Sequence, residues 1–303
     1  MRSQSTRHIF MIEPACFYAN PETMDTNVYQ VKDGAQENPQ EIFKNALCEF
    51  RGFRDALVGH GVVVTTALGY EACPDMVFPN WMSTHQEGQF FLYPMRNTNR
   101  RAERAPEVID AFKSAYPDFI DWSDYEAEEM FLESTASIVS DHVNKVGYSG
   151  LSARTNRELA EKWGQLMGYE MEIFETHSHA GLPVYHTDFL MYIGSTMAGL
   201  CSPCIEEKDR ARVVERLSAS HEVVEFTMEQ LQANCGNALE VIGTGAEKML
   251  VMSDAAFVAL TPAQLKIMQT HYKTIIHSDL KTLERYGGGS ARCMLMEIFP
   301  TIS

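Results

Sequence analysis

One short pattern recurs along the chain at nearly constant spacing: a turn, one or two polar residues, then an apolar run. It appears as FPNWMS at 78, FLESTASIV at 131, VYHTDFLMYIG at 184, CGNALEV at 235 and SARCMLMEIF at 290. With Asn80, Glu133, His186, Asn237 and Cys293 as markers, the intervals are 53, 53, 51 and 56 residues. Apolar residues at helical spacing predict helices over 38–58, 104–117, 155–168, 206–233 and 262–284, and GVVVTTAL, MEIFET, KMLVMS and CMLMEIF predict strands between them. Such alternation marks an α/β protein, and a fixed period of about fifty residues marks repeated supersecondary units. Five units whose sheets bury their faces against neighbours can close into a ring, which removes exposed strand edges and gathers the five polar positions at one place. At 303 residues the chain is at the upper end for one domain, so this closed architecture predicts a single domain over 1–303.

Charge and cysteine usage narrow the class of partner. A formal net charge of −16 argues against nucleic acid and against an anionic membrane, since both repel it. A small zwitterionic or cationic ligand is the better match. The stretch MRSQSTRHIFMIEP has no signal-type apolar core, and later apolar stretches are broken well short of a membrane span, which predicts a soluble, cytoplasmic protein. Seven cysteines, at 16, 48, 73, 201, 204, 235 and 293, do not pair into a secreted disulfide framework, so reduced thiols are expected. Self-association into a homo-oligomer is compatible with all of this.

If the polar positions converge, one pocket holds Cys293, His186 and Glu133: a nucleophile, an acid/base and a group to orient it. Thiolate is the reactive form of cysteine, and a histidine in reach can favour it and then protonate a leaving nitrogen. Each residue alone has a plainer reading. Cys293 after three glycines reads as a small buried group, and His186 beside Tyr185 as a core histidine. Glu133 in an apolar run is odder, because an unpaired buried carboxylate is costly. THSHAGLPVYHTD also places His177, His179, His186 and Asp188 close together, so a metal hydrolase is a competing reading, although Gly-Leu-Pro breaks the strand and no fourth ligand is fixed. CSPC at 201–204 lacks the context of a redox motif and reads as two structural cysteines. A non-catalytic amino-acid-binding protein is the remaining class.

The motifs GGGSARCM, YHTDF, FPNW, FLEST and PMRNTNRRAE resemble those of the guanidino-group-modifying superfamily, which holds arginine deiminases, dimethylarginine dimethylaminohydrolases and amidinotransferases. The resemblance runs from about residue 11 to 299 and is most specific at His-x-Asp 186–188, Arg-Cys-Met 292–294 and GLSART 150–155. It implies the pentein fold, a five-bladed α/β propeller of ββαβ units, in agreement with the period. By position it implies Cys293 as nucleophile, His186 as general acid/base and Glu133 as the carboxylate that holds the histidine, with no metal and no cofactor. Asp188 resembles the family's second substrate-holding carboxylate. Arg100, with Arg101 as its rival, and Arg154 stand where family members grip the substrate carboxylate, a bidentate task suited to guanidinium. Asn27, in CFYANPETMDTNVYQ, is a further candidate contact.

One departure bears on the substrate. Arginine-processing members carry aspartate at the FPNW position, where this chain has Asn80. Losing that carboxylate removes a charge-assisted hydrogen bond worth about 1.5–3 kcal/mol, and so weakens guanidinium binding by about one to two decades. An amide offers both donor and acceptor, which suits an uncharged ureido group. The chain most resembles the citrulline-hydrolysing branch, so hydrolysis of free citrulline to ornithine, ammonia and carbon dioxide through an S-carbamoyl-type intermediate is expected. Arginine or methylarginine hydrolysis, or amidino transfer, is the alternative.

Overall fold

The computed structural model describes residues 2–31 and 38–300. Within them β1 (His8–Glu13), β2 (Val63–Leu68), β3 (Met82–Thr84), β4 (Gln89–Leu92), β5 (Asp118–Asp121), β6 (Val139–Asp141), β7 (Val146–Gly150) and β8 (Glu170–Phe174) are followed by β9 (Met191–Ile193), β10 (Met197–Leu200), β11 (Glu222–Glu225), β12 (Leu239–Ile242), β13 (Lys248–Ser253), β14 (Thr274–Ser278) and β15 (Met296–Glu297). They form five sheets of three strands, ordered β15-β1-β2, β3-β4-β5, β6-β7-β8, β9-β10-β11 and β12-β13-β14. Every sheet has the same construction. The middle strand pairs antiparallel with the first and parallel with the third, as where Ile9 faces Glu297 on one side and Val64 on the other. The fold is thus a mixed α/β arrangement of five alike units, in a propeller-like set.

A parallel neighbour requires a crossover, and each is a helix: Pro39–Gly59, Pro106–Ala115, Arg157–Met167, Glu207–Ser218 and Pro262–His271. Their starts follow local chemistry. Asn38 accepts from the Gln40 amide ahead of Pro39, Asn156 accepts from Leu159, and Thr261 and Gln264 form a capping box. Phe50, Phe53 and Leu57 of the first helix are fully buried in one apolar cluster with Ile9, Val241 and Ile276, each contributing about 1.5–3 kcal/mol. Strands β3, β7, β9, β10 and β15 are buried throughout, whereas β2, the third strand of its sheet, has no fully buried residue.

Two expected helices are too long. The 206–233 stretch holds a helix to Ser218, then β11, then Met228–Gln232; the 262–284 stretch holds a helix to His271, then β14, then Lys281–Gly287. The β-branched pairs Val223-Val224 and Ile275-Ile276 satisfy helical spacing when read with their neighbours, yet they fill the outer strand that each parallel pairing needs. CMLMEIF is strand only at Met296–Glu297; Cys293 lies in a one-turn helix, Arg292–Met294.

Residues 3–6 bond to all five units at one end. Ser3 and Gln86 exchange hydrogen bonds, Gln4 donates to the carbonyls of Ser140 and Ile193, Ser5 donates to Glu240, and Thr6 donates to the Ile298 carbonyl. No helix among the described residues is long and apolar enough to cross a membrane.

Candidate active site

The five periodic markers all precede the first strand of a unit. Asn80 precedes β3, and Glu133 leads the short helix Ser134–Ser137 into β6. His186 leads Thr187–Leu190 into β9, Asn237 precedes β12, and Cys293 precedes β15. Asn80, His186 and Cys293 line one cavity of about 260 Å³, with Thr23, Asn27, Asp75, Phe78, Arg100 and Arg154. A second cavity, of about 680 Å³, is lined by His85, His142, Glu240, Arg292 and Glu297 but by no thiol, whereas Cys293 lines the smaller one.

His186 and Glu133 form a buried pair, Nε2 to Oε2 at 2.7 Å. Burial alone would raise the Glu133 carboxyl; Arg154 and the His186 hydrogen bond outweigh it and hold it at about 2. Oε1 accepts from the Arg96 amide at 3.1 Å, and Arg154 Nη1 stands 3.7 Å from Oε2. Burial pushes His186 down to about 4 despite Glu133. At neutral pH the pair is therefore carboxylate and neutral imidazole, with Nε2–H donated to Glu133. That assignment leaves Nδ1 a bare lone pair, and Nδ1 has no protein partner. A fixed imidazole with a free basic nitrogen can take a proton and return it.

Cys293 is buried, 4% exposed, beneath the Gly287–Gly289 turn. The turn needs glycine because Gly288 has φ +64 with Asn27 Nδ2 only 2.5 Å from where its Cβ would be, and a Cβ on Gly287 would meet Phe78 at 2.6 Å. The thiol donates to Asp188 Oδ2 at 3.6 Å and accepts from Asn237 Nδ2 at 3.1 Å. Burial, then the Asp188 carboxylate, pushes the thiol well above its ordinary range. Burial raises Asp188 to about 7, against the pull of Arg292 and the thiol hydrogen bond. Asp188 Oδ1 has no partner, and Asp188 lies beside the sulfur rather than among the cavity-lining residues.

The arginines separate. Arg100 is buried, holds Glu103 through Nε and Nη2 at 2.9 Å each, and lines the cavity. Arg154, also buried, bonds Thr26 Oγ1 at 2.9 Å and the Thr23 carbonyl at 3.2 Å, which ties the 16–30 segment over the site. Arg101 is not part of the site. It turns to the carbonyls of Met95 and Arg96, lies over Phe131 and lines a surface hollow with Glu22 and Glu126, because consecutive helical residues project in different directions. Asn27 lines the cavity, but its amide is spent on the carbonyls of Gly287 and Gly288. The Asn80 side chain makes no hydrogen bond to the described residues and is free for a ligand.

His177 bonds Glu206, His179 packs on Tyr29, and His186 bonds Glu133, so the histidine cluster diverges. Cys201 and Cys204 are both buried. Two residues went unassigned from sequence. Asp75 is buried, accepts from Asn20 at 2.7 Å and has Oδ1 unpartnered at the cavity between two arginines; CPDMVFPN carries no signature for it. Asn237 touches the sulfur, and the period had marked its position without its chemistry.

The family model for N,N dimethylarginine dimethylhydrolase, eukaryotic, matches residues 13–300. No curated protein sequence matches the chain. Among solved structures it is similar to apo ArgZ, an arginine dihydrolase from the ornithine-ammonia cycle in cyanobacteria, at 15% identity and TM-score 0.76 over 98% of this chain and 41% of that one. The isolated N-terminal domain of ArgZ, as a mutant bound to substrate, gives 13% identity and TM-score 0.76 over 98% of this chain and 99% of that one. DDAH from Pseudomonas aeruginosa, as a mutant complexed with citrulline, gives 17% identity and TM-score 0.67 over 98% and 100%. This chain thus spans about two fifths of the apo ArgZ chain and nearly all of that isolated domain.

Proposed function

Because the chain belongs to the N,N dimethylarginine dimethylhydrolase family, within the guanidino-modifying hydrolases of C–N bonds, we propose that it hydrolyses the ureido group of free citrulline to ornithine, ammonia and carbon dioxide. Asn80 carries this reading. At the cavity wall stands an uncharged amide without a protein partner, which can donate to a ureido oxygen. Asp188 Oδ1, unpartnered beside the sulfur, accepts from the ureido NH₂ once the group is seated. At the other end Arg100 and Arg154 receive the α-carboxylate, and the free oxygen of Asp75 receives the α-ammonium.

In this mechanism the thiol proton passes to His186 Nδ1, and the thiolate attacks the ureido carbon. Imidazolium, held by Glu133, protonates the departing nitrogen. If ornithine leaves first, a carbamoyl thioester remains; His186 then deprotonates a water that attacks it, the C–S bond breaks, and the carbamic acid released decays to ammonia and carbon dioxide. If ammonia leaves first, the N-alkyl thioester hydrolyses to a carbamate of ornithine, with the same final products. The reading takes 1–303 as one catalytic domain whose five sheets close into a five-bladed propeller, acting in the cytoplasm without metal or cofactor.

Arginine hydrolysis is the second reading, favoured by the likeness to an arginine dihydrolase and by the Asp188 carboxyl beside the thiol. Citrulline, arginine, methylated arginines and agmatine, each incubated with the protein and scored for ammonia and amine product, separate the two. Citrulline is expected to give the highest kcat/KM, Asn80→Asp to move preference toward arginine by about 10–100-fold, and Cys293→Ser to bind without turnover. Arginine as the best substrate of the native protein, or full turnover by Cys293→Ser, would reject this function.

A further inference from the structure

Asn237 stands outside every role assigned above, and its surroundings are those of a working group. It is fully buried and uses all four of its hydrogen-bonding capacities. Oδ1 accepts from the amides of Arg292, at 3.0 Å, and Cys293, at 3.3 Å. Nδ2 donates to the Asp188 carbonyl at 3.0 Å and to Cys293 Sγ at 3.1 Å. The amide orientation is thereby fixed, since a flip would set NH₂ against two N–H donors.

The bond to sulfur answers no packing need. A buried neutral thiol behaves as a small apolar group and requires no donor. A sulfur anion does require one, and besides Asn237 only the Ser290 backbone and the Arg292 charge favour it. Asp188 opposes the anion at 3.6 Å, while Tyr185 and the neutral His186 share the cavity. Arg292 spends its guanidinium on the Leu295 carbonyl at 2.6 Å and on Glu297 at 3.8 Å. Among the described residues Asn237 is the one side-chain donor on the sulfur.

We propose that Asn237 is a catalytic residue whose Nδ2–H holds the Cys293 sulfur in its anionic form, both before attack and when the sulfur departs. The proposal rests on Cys293 as nucleophile. On attack the S–C bond forms from the thiolate pair and the N–H···S bond weakens. When water adds and the C–S bond breaks, the electron pair returns to sulfur and the N–H receives it. One amide therefore serves both halves of the reaction, and its backbone contacts keep the sulfur in register with Asp188.

The test is peptide-resolved alkylation of Cys293 by chloroacetamide, a small neutral amide, as a function of pH, with exposed Cys48 as reference in the same sample. Asn237→Ala removes the donor. Asn237→Asp keeps the shape and the Oδ1 acceptor and loses the donor once ionised, so it decides if the alanine variant does not fold. A hydrogen bond to an ion sets the scale. The alkylation midpoint of Cys293 is expected to rise by about 1–2 pH units, kcat to fall about 10–100-fold, KM to stay within about 3-fold, and Cys48 not to move. An unmoved Cys293 midpoint with Cys293→Ser inactive overturns this proposal alone, whether or not kcat falls. Turnover by Cys293→Ser instead overturns the nucleophile assignment.

Discussion

Asp188→Asn replaces a carboxyl with an amide of the same shape, at a side chain 2% exposed. Burial raises this carboxyl from 3.8 to about 7 in the folded protein. A folded value above the unfolded one means that the folded chain binds the extra proton between those limits. The stabilisation is therefore complete below about pH 4 and is lost as pH rises through about 7. From pH 5 to pH 7 is two units at ~1.36 kcal/mol each at most, so the native protein should lose about 2–3 kcal/mol that the variant keeps. At ~2.1 cal/mol/K per residue, 303 residues give an unfolding entropy of about 0.6 kcal/mol/K, and the loss corresponds to ~4 °C in Tm. Urea titrations of both proteins at pH 5 and pH 8 isolate the effect, because every other group titrates in each. The free-energy gap between native and variant should move by about 2–3 kcal/mol against the native protein at the higher pH. A gap constant within about 0.5 kcal/mol would mean that Asp188 is ionised at both pH values. It would then be a standing anion beside the thiol, better suited to a guanidinium than to a urea, and the preference for an uncharged substrate would lose its electrostatic support.

Two other perturbations separate groups that look alike in sequence. Arg154→Ala should raise KM about 10–100-fold, since it frees Thr23 and Thr26 and removes a cavity-lining cation, whereas Arg101→Ala should change KM by less than about 2-fold in steady-state kinetics. An equal effect of both would undo the separation of the two arginines. Gly288→Ala forces a left-handed residue, at about 1–2 kcal/mol, and pushes on Asn27, so urea unfolding should show a loss of at least that size and KM should rise; unchanged stability would mean that the turn has slack.

The period was legible because each unit repeats the same order of polar turn, antiparallel strand pair, crossover helix and parallel strand, and because Cys, His and Glu have recognisable chemistry. β11 and β14 were not legible. Their β-branched pairs fit helical and extended spacing alike until a parallel partner selects between them. Arg100 and Arg101 were inseparable because composition does not show which guanidinium faces inward; the structure separates them through Glu103, which meets Arg100 alone. Asp75 and Asn237 were missed for a different reason. What distinguishes them is an unpartnered oxygen in one case and four simultaneous partners in the other, and both arise only when residues dozens of positions apart meet.

The order in which the chain is made acquires a meaning from β1. That strand lies between β2, joined to it through one helix, and β15, which arrives nearly three hundred residues later. Its antiparallel edge stays bare while a ribosome works through everything between, and loop closure over that distance is slow. The Cys293 sulfur emerges three residues ahead of the strand that covers this edge. A nascent polypeptide cut short anywhere before position 293 would leave both an unsatisfied backbone and a missing thiol, so incomplete copies lack the cavity's sulfur and are prone to stick together at the same time.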